Sequence, residues 1–169
     1  MNEDSIRFKE VLLTYHVLND SRQILLIFLK NKYSLKGIAY QKAVVLSDIN
    51  KEEKTEEAKK LLENAETELI DQTIVSLVSE FENIIFNHPK SLLREESGGR
   101  PRGIEKAILH FESAVPEKIF EHTSRLCEYR NWVAHGKRWE KPNFPQPNPP
   151  TAYQVLCDFL TKAEFGSFN

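Results

Sequence analysis

Apolar side chains recur at helical spacing through the opening of the chain: Phe8, Val11, Leu12, Tyr15 and Leu18 fall on one face. Asp20 or Ser21 is suited to cap a second helix running through Leu29. Gly37 and Asp48–Asn50 punctuate a third. From residue 52 to 68 the chain carries seven acidic and three basic side chains, which predicts a solvated face. Beyond it Ile70, Ile74, Leu77, Val78, Phe81, Ile84 and Ile85 return to a 3.6-residue period. His88-Pro89 ends that segment, because proline disfavours the helical conformation of the residue before it. A helix over 51–87 would be unusually long, and is expected either broken or as half of a long antiparallel pair. Coiled-coil heptads are poor here.

Proline and glycine mark the rest of the architecture. No proline and one glycine precede Pro89. Residues 95–103 (EESGGRPRG) read as a loop with a basic tip at Arg100 and Arg102. A helix is expected over 104–114, and a second over about 116–136, with Pro116 in its first turn and Gly136 as its stop. Five prolines between 142 and 150 make an extended arm, followed by a short last helix over 152–162. No alternating strand pattern competes. The expectation is one all-α domain over 1–169: a helical bundle with a long antiparallel helix pair, a Pro-rich C-terminal arm and a short final helix.

Charge narrows the function classes. The 23 basic and 25 acidic side chains give a net charge of −2, which excludes a globally basic nucleic-acid binder but leaves room for a local patch. The longest purely apolar run, Ile24–Leu29, is far short of the roughly 20 residues that span a bilayer. The acidic start, Met1 to Asp4, lacks a signal-peptide pattern. Cys127 and Cys157 are too few and too far apart for a zinc site or disulfide framework, and read as reduced thiols of a cytoplasmic protein. No metal and no cofactor is called for.

The chemistry concentrates on the 116–136 helix. At about 100° per residue, Ile119, Thr123, Leu126, Cys127, Val133 and Ala134 form an apolar stripe, with Tyr129 and Trp132 on the other flank. Arg130 lies in the middle of the stripe. A guanidinium cannot shed its charge, so it must meet a carboxylate, carbonyls, a second chain or a phosphate. Asn131 and His135 share an edge one turn apart. Arginine can hold phosphate oxygens bidentately, and histidine exchanges a proton near neutral pH. RNA supplies its own 2′-hydroxyl nucleophile, so these groups suffice for cleavage without a metal. An arginine followed by histidine after four to six residues is expected by chance roughly 0.7 times in such a chain, and with asparagine beside the arginine roughly 0.05 times. Arg130–His135 is the one match.

The string Tyr129-Arg130-Asn131-Trp132-Val133-Ala134-His135-Gly136 resembles the R-N-x-x-x-H signature of HEPN domains (higher eukaryotes and prokaryotes nucleotide-binding). The match is specific over about eight residues, and the order of helices is similar, loosely, over 60–165, with Phe81-Glu82 on the long helix. The resemblance implies a helical bundle that forms a homodimer, in which two motif helices meet and build a composite RNA-cleaving site. It implies Arg130 and His135 as the catalytic pair, with Asn131 as the polar residue beside them. Such proteins act in toxin–antitoxin and phage-defence systems, with a protein antitoxin or regulatory partner, and some members have lost catalysis and only bind RNA or protein. The tyrosine that HEPN toxins paired with a minimal nucleotidyltransferase antitoxin often carry two residues after the histidine is Lys137 here.

Other roles are open to the same side chains. Arg130 can pair with a carboxylate such as Glu82 or Glu128, and Glu82 can either orient it or be a plain solvated glutamate. Trp132 and Trp139 can stack bases or pack. From Arg125 to Lys141 five basic side chains face two acidic ones. Lys137, Arg138 and Trp139, with Arg100 and Arg102, are expected as an RNA-contacting patch, with a scattered solvated surface as the alternative. The Pro-rich arm serves either as a partner ligand or as packing.

Overall fold

The computed structural model describes residues 3–30, 52–87, 103–137, 140–166 and 168. Among them are five helices and no strand, so the chain is an all-α bundle. Among the described residues of the first half, which is almost free of helix breakers, are two long helices, α1 (Glu3–Lys30) and α2 (Glu52–Asn87). Glu3 and Asp4 at the start of α1 and Lys30 at its end suit the helix dipole.

One expectation for this half needs adjusting. The break expected at Asp20–Ser21 is absent, and α1 passes straight through. Ser21 Oγ donates to the carbonyl of Val17, 2.8 Å away and one turn back, and Asn19 accepts from Arg22 at 3.1 Å. These polar side chains are thus satisfied inside the helix instead of capping a new one. The long helix over 51–87 is likewise unbroken: α2 is 36 residues, about 54 Å at 1.5 Å per residue. The expected punctuation at Gly37 and Asp48–Asn50, and the stop at His88-Pro89, lie outside the described residues.

The described residues of the second half hold α3 (Ile104–Leu109), α4 (Glu117–Ala134) and α5 (Pro149–Lys162). The helix expected over 104–114 stops early. From His110 the backbone tightens into bonds three residues back: His110 to Ala107, Phe111 to Ile108 and Glu112 to Leu109. Pro116, which has no N–H to give, stands as the N-cap of α4. The last helix starts earlier than expected, because the prolines of the arm serve as its first turn. Pro149 and Pro150 open α5, and the Asn148 side chain accepts from Thr151 N at 3.2 Å.

The chain divides into two compact units, Met1–Leu13 with Ile70–Asn169, and Thr14–Leu69. The first holds the main core. Phe8 of α1, Ile74 to Ile85 of α2, Ile104, Ala107 and Ile108 of α3, Leu126 and Cys127 of α4, and Leu156 to Leu160 of α5 bury one another. Phe81 meets Phe159 edge-on at 5.3 Å, and Phe111 meets Phe165 at 5.2 Å. In the second unit Tyr15, Leu26 and Leu29 are buried, and so is Arg22. That guanidinium donates to Leu62 O at 3.3 Å and lies 3.1 Å from Glu66, linking α1 to α2.

The apolar stripe expected on α4 is rotated. Thr123, Leu126 and Cys127 are buried as expected, but Ala134 is exposed, and Tyr129 and Trp132 from the supposed far flank are buried. The arm explains the rotation. The Phe144 ring lies tilted against Tyr129, 6.2 Å between centroids, so the arm covers a flank that a helix alone would leave to water. No helix among the described residues is long and apolar enough to cross a membrane.

Candidate functional site

Four side chains from three helices form a continuous chain of polar contacts. Glu82 on α2 accepts from Nη2 of Arg130 on α4. Nη1 of Arg130 donates to Asn131 Oδ1 at 3.1 Å, and Asn131 Nδ2 donates to Glu105 Oε1 on α3 at 2.7 Å. The Asn131 amide is held in one sense, its oxygen to the cation and its nitrogen to the anion. The Arg130 side chain is 17% exposed and Glu82 29%. Arg130 thus uses two of its five N–H donors on these partners, and its Nε is buried without a hydrogen-bond partner.

His135 lies at the end of α4, exposed, as the C-cap residue. Its N–H bonds to Asn131 O at 3.1 Å. The next two residues reverse the chain. Gly136 (φ 72°) donates to Val133 O at 2.8 Å, and Lys137 (φ 57°) to Trp132 O at 2.9 Å. This is a Schellman closure, and glycine is the residue that enters the left-handed region without steric penalty. Arg130 and Asn131 are therefore joined to Glu82 and Glu105, with His135 one turn beyond them on the same helix.

Cys127 sits one turn before Arg130. Burial pushes its thiol up to about 12, against the pull of Arg130 and with the push of Glu105 and Glu82. At neutral pH it is a packed, protonated thiol and no nucleophile.

The RNA-contacting patch expected from the sequence is only partly described. Arg100, Arg102, Arg138 and Trp139 lie outside the described residues. Lys137 is described, and its ammonium is 2.7 Å from Asp71 on α2 and 5.6 Å from the centroid of the Trp132 ring. Trp132 is buried against Tyr129 at 5.6 Å, which is packing. Among the described residues no group of three His, Cys, Asp or Glu is placed to hold a metal ion.

Two polar residues escaped the sequence reading. Glu105 was one acidic side chain on a short helix, and nothing local tied it to Asn131. Asp71 stands within the apolar stretch that begins at Ile70, and its side chain is 1% exposed. It accepts from Tyr129 Oη at 2.6 Å and Gln146 Nε2 at 2.9 Å. Burial pushes the Asp71 carboxyl up, but the adjacent Lys137 ammonium and the hydrogen bonds from Tyr129 and Gln146 outweigh it and hold the group below its ordinary value. A carboxylate on the apolar face of a helix was the available signal, since it needs such donors.

Comparison with protein-family models, with curated proteins and with solved structures finds no match for this chain.

Proposed function

We propose that this protein is a metal-independent endoribonuclease of HEPN type, with a composite active site at a homodimer interface. It acts in the cytoplasm, within a toxin–antitoxin or phage-defence system. The observation that carries the reading is Arg130, a permanent cation set in a largely buried stretch of α4 and oriented by Glu82 and Asn131, with an exposed His135 one turn on.

The reaction needs little more than these groups. The RNA 2′-oxygen attacks phosphorus, the P–O5′ bond breaks, and a 2′,3′-cyclic phosphate and a 5′-hydroxyl result. One His135 accepts the 2′-hydroxyl proton, and His135 of the second copy gives a proton to the departing 5′-oxygen. Arg130 uses the remaining N–H donors of its two Nη groups on the phosphoryl oxygens as negative charge builds there. Asn131 keeps the guanidinium in its plane.

A second reading has its own support. Glu82 already pairs with Arg130, and Glu105 adds a second negative charge on the neighbouring Asn131 amide, which weakens attraction for a phosphodiester. On that reading the protein is a catalytically inactive HEPN-like module that binds RNA or protein. The products separate the two. Purified protein and a mixed-sequence RNA should give new ends carrying 2′,3′-cyclic phosphate, and RNA with 2′-O-methyl groups throughout should stay intact. Binding without any new ends favours the inactive module.

A further inference from the structure

The groups around Asp71 lie outside the reaction just described, yet they bracket its helix. Tyr129, which donates to Asp71 at 2.6 Å, comes directly before Arg130. Lys137, whose ammonium is 2.7 Å from the same carboxylate, comes two residues after His135. Gln146 of the arm completes the set at 2.9 Å. A carboxylate 1% exposed is held by one cation and two neutral donors, and none of them belongs to its own helix. Lys137 also holds a left-handed backbone, φ 57°, directly after Gly136 at φ 72°. Side chains with a Cβ rarely adopt that conformation. Here the ammonium is tied at its far end, so the turn that presents His135 is fixed from below as well as by its backbone bonds.

We infer that Asp71 is a positioning residue for the catalytic end of α4: it grips Tyr129 and Lys137 on either side of the Arg130–His135 segment and so sets where the His135 imidazole stands. Lys137 on this account serves Asp71 and does not bind RNA. The inference rests on the endoribonuclease reading for its kinetic consequences, but not for its structural ones.

The experiment uses the full chain with 13C-labelled histidine, as wild type, Asp71→Asn, Lys137→Gln and the double variant. Each single substitution is expected to displace the His135 ring signals beyond their line width while those of His110 and His122 stay in place. In RNA cleavage, kcat is expected to fall between about tenfold and a hundredfold with KM unchanged, and the double variant to be no worse than the more affected single. His135 signals that coincide with wild type in both single variants overturn the inference. So does a Lys137→Gln variant that raises KM and leaves kcat intact, the mark of a phosphate-binding lysine. Lys137 is a third exposed, so its variant decides the matter if Asp71→Asn does not fold. A wild-type protein that cleaves no RNA defeats the endoribonuclease reading alone, and the histidine signals then test Asp71 by themselves.

Discussion

Glu82 and Arg130, 48 residues apart in sequence, form an ion pair that ties the long helix α2 to the motif helix α4. The pair solves a problem that the sequence poses. A guanidinium set among the buried side chains of a helix needs a partner, and α2 places a carboxylate at the edge of its own buried face to meet it. Glu82 both steadies the cation and competes with any phosphate that approaches it.

Replacing Glu82 therefore has two opposite effects. Glu82→Ala leaves a largely buried guanidinium short of its anion and should lower unfolding free energy by about 1–3 kcal/mol. Glu82→Gln keeps an oxygen acceptor and removes only the charge, so its loss should be smaller. Both should bind RNA more tightly than wild type at low salt, since one anion leaves the neighbourhood of Arg130. Urea titration reads the first effect and filter binding the second. Unchanged RNA affinity in both variants would show that Arg130 does not face the phosphate.

Asp71 gives the protein a specific weakness in acid. Its carboxyl lies below its ordinary value of 3.8 in the folded chain, so the unfolded chain takes up the proton first as pH falls. The stabilisation is complete above the ordinary value and is lost as pH drops through the depressed one. Urea midpoints measured from pH 7 down to pH 3 should fall steeply for wild type and less steeply for Asp71→Asn. Equal slopes would contradict the assignment.

The two thiols should be silent in the native state. Burial raises Cys127 to about 12 and Cys157 to about 11, and both are free and buried. A disulfide thiol reagent at pH 8 should label neither within minutes, and both at once in denaturant. Fast labelling of the folded protein would show that α4 and α5 open readily.

Arg22 tests the second unit. Its side chain is 6% exposed and its Nε has no hydrogen-bond partner. Arg22→Ala should destabilise by about 1–3 kcal/mol, because the bonds to Leu62 and Asn19 and the packing of its stem are lost together. Arg22→Met, which keeps the stem and removes the charge, should recover most of that loss. Thermal melts of the two variants make the comparison.

Much of the fold was legible because its punctuation is chemical. The absence of proline before Pro89 announces long helices, and Pro116 and Gly136 mark the two ends of α4. Asp20 and Ser21 misled because a serine on a helix can bond its own preceding turn as readily as cap the next one. The buried flank of α4, with Tyr129 and Trp132, was hidden because the covering residue, Phe144, comes from an arm whose path no periodicity records. At the site, Arg130 announced itself as a misplaced charge and Glu82 stood among its expected partners. Glu105 and Asp71 did not, since their partners lie 26 to 75 residues away along the chain.

The most direct test is cleavage of a labelled RNA in EDTA by the wild-type chain, Arg130→Ala and His135→Ala, each purified identically and shown to be folded. The account predicts that wild type cuts the RNA and that each substitution lowers the rate by at least about a hundredfold. Cutting that persists undiminished in both variants, or no cutting by wild type at any pH from about 5 to 9 around the histidine range, would contradict it.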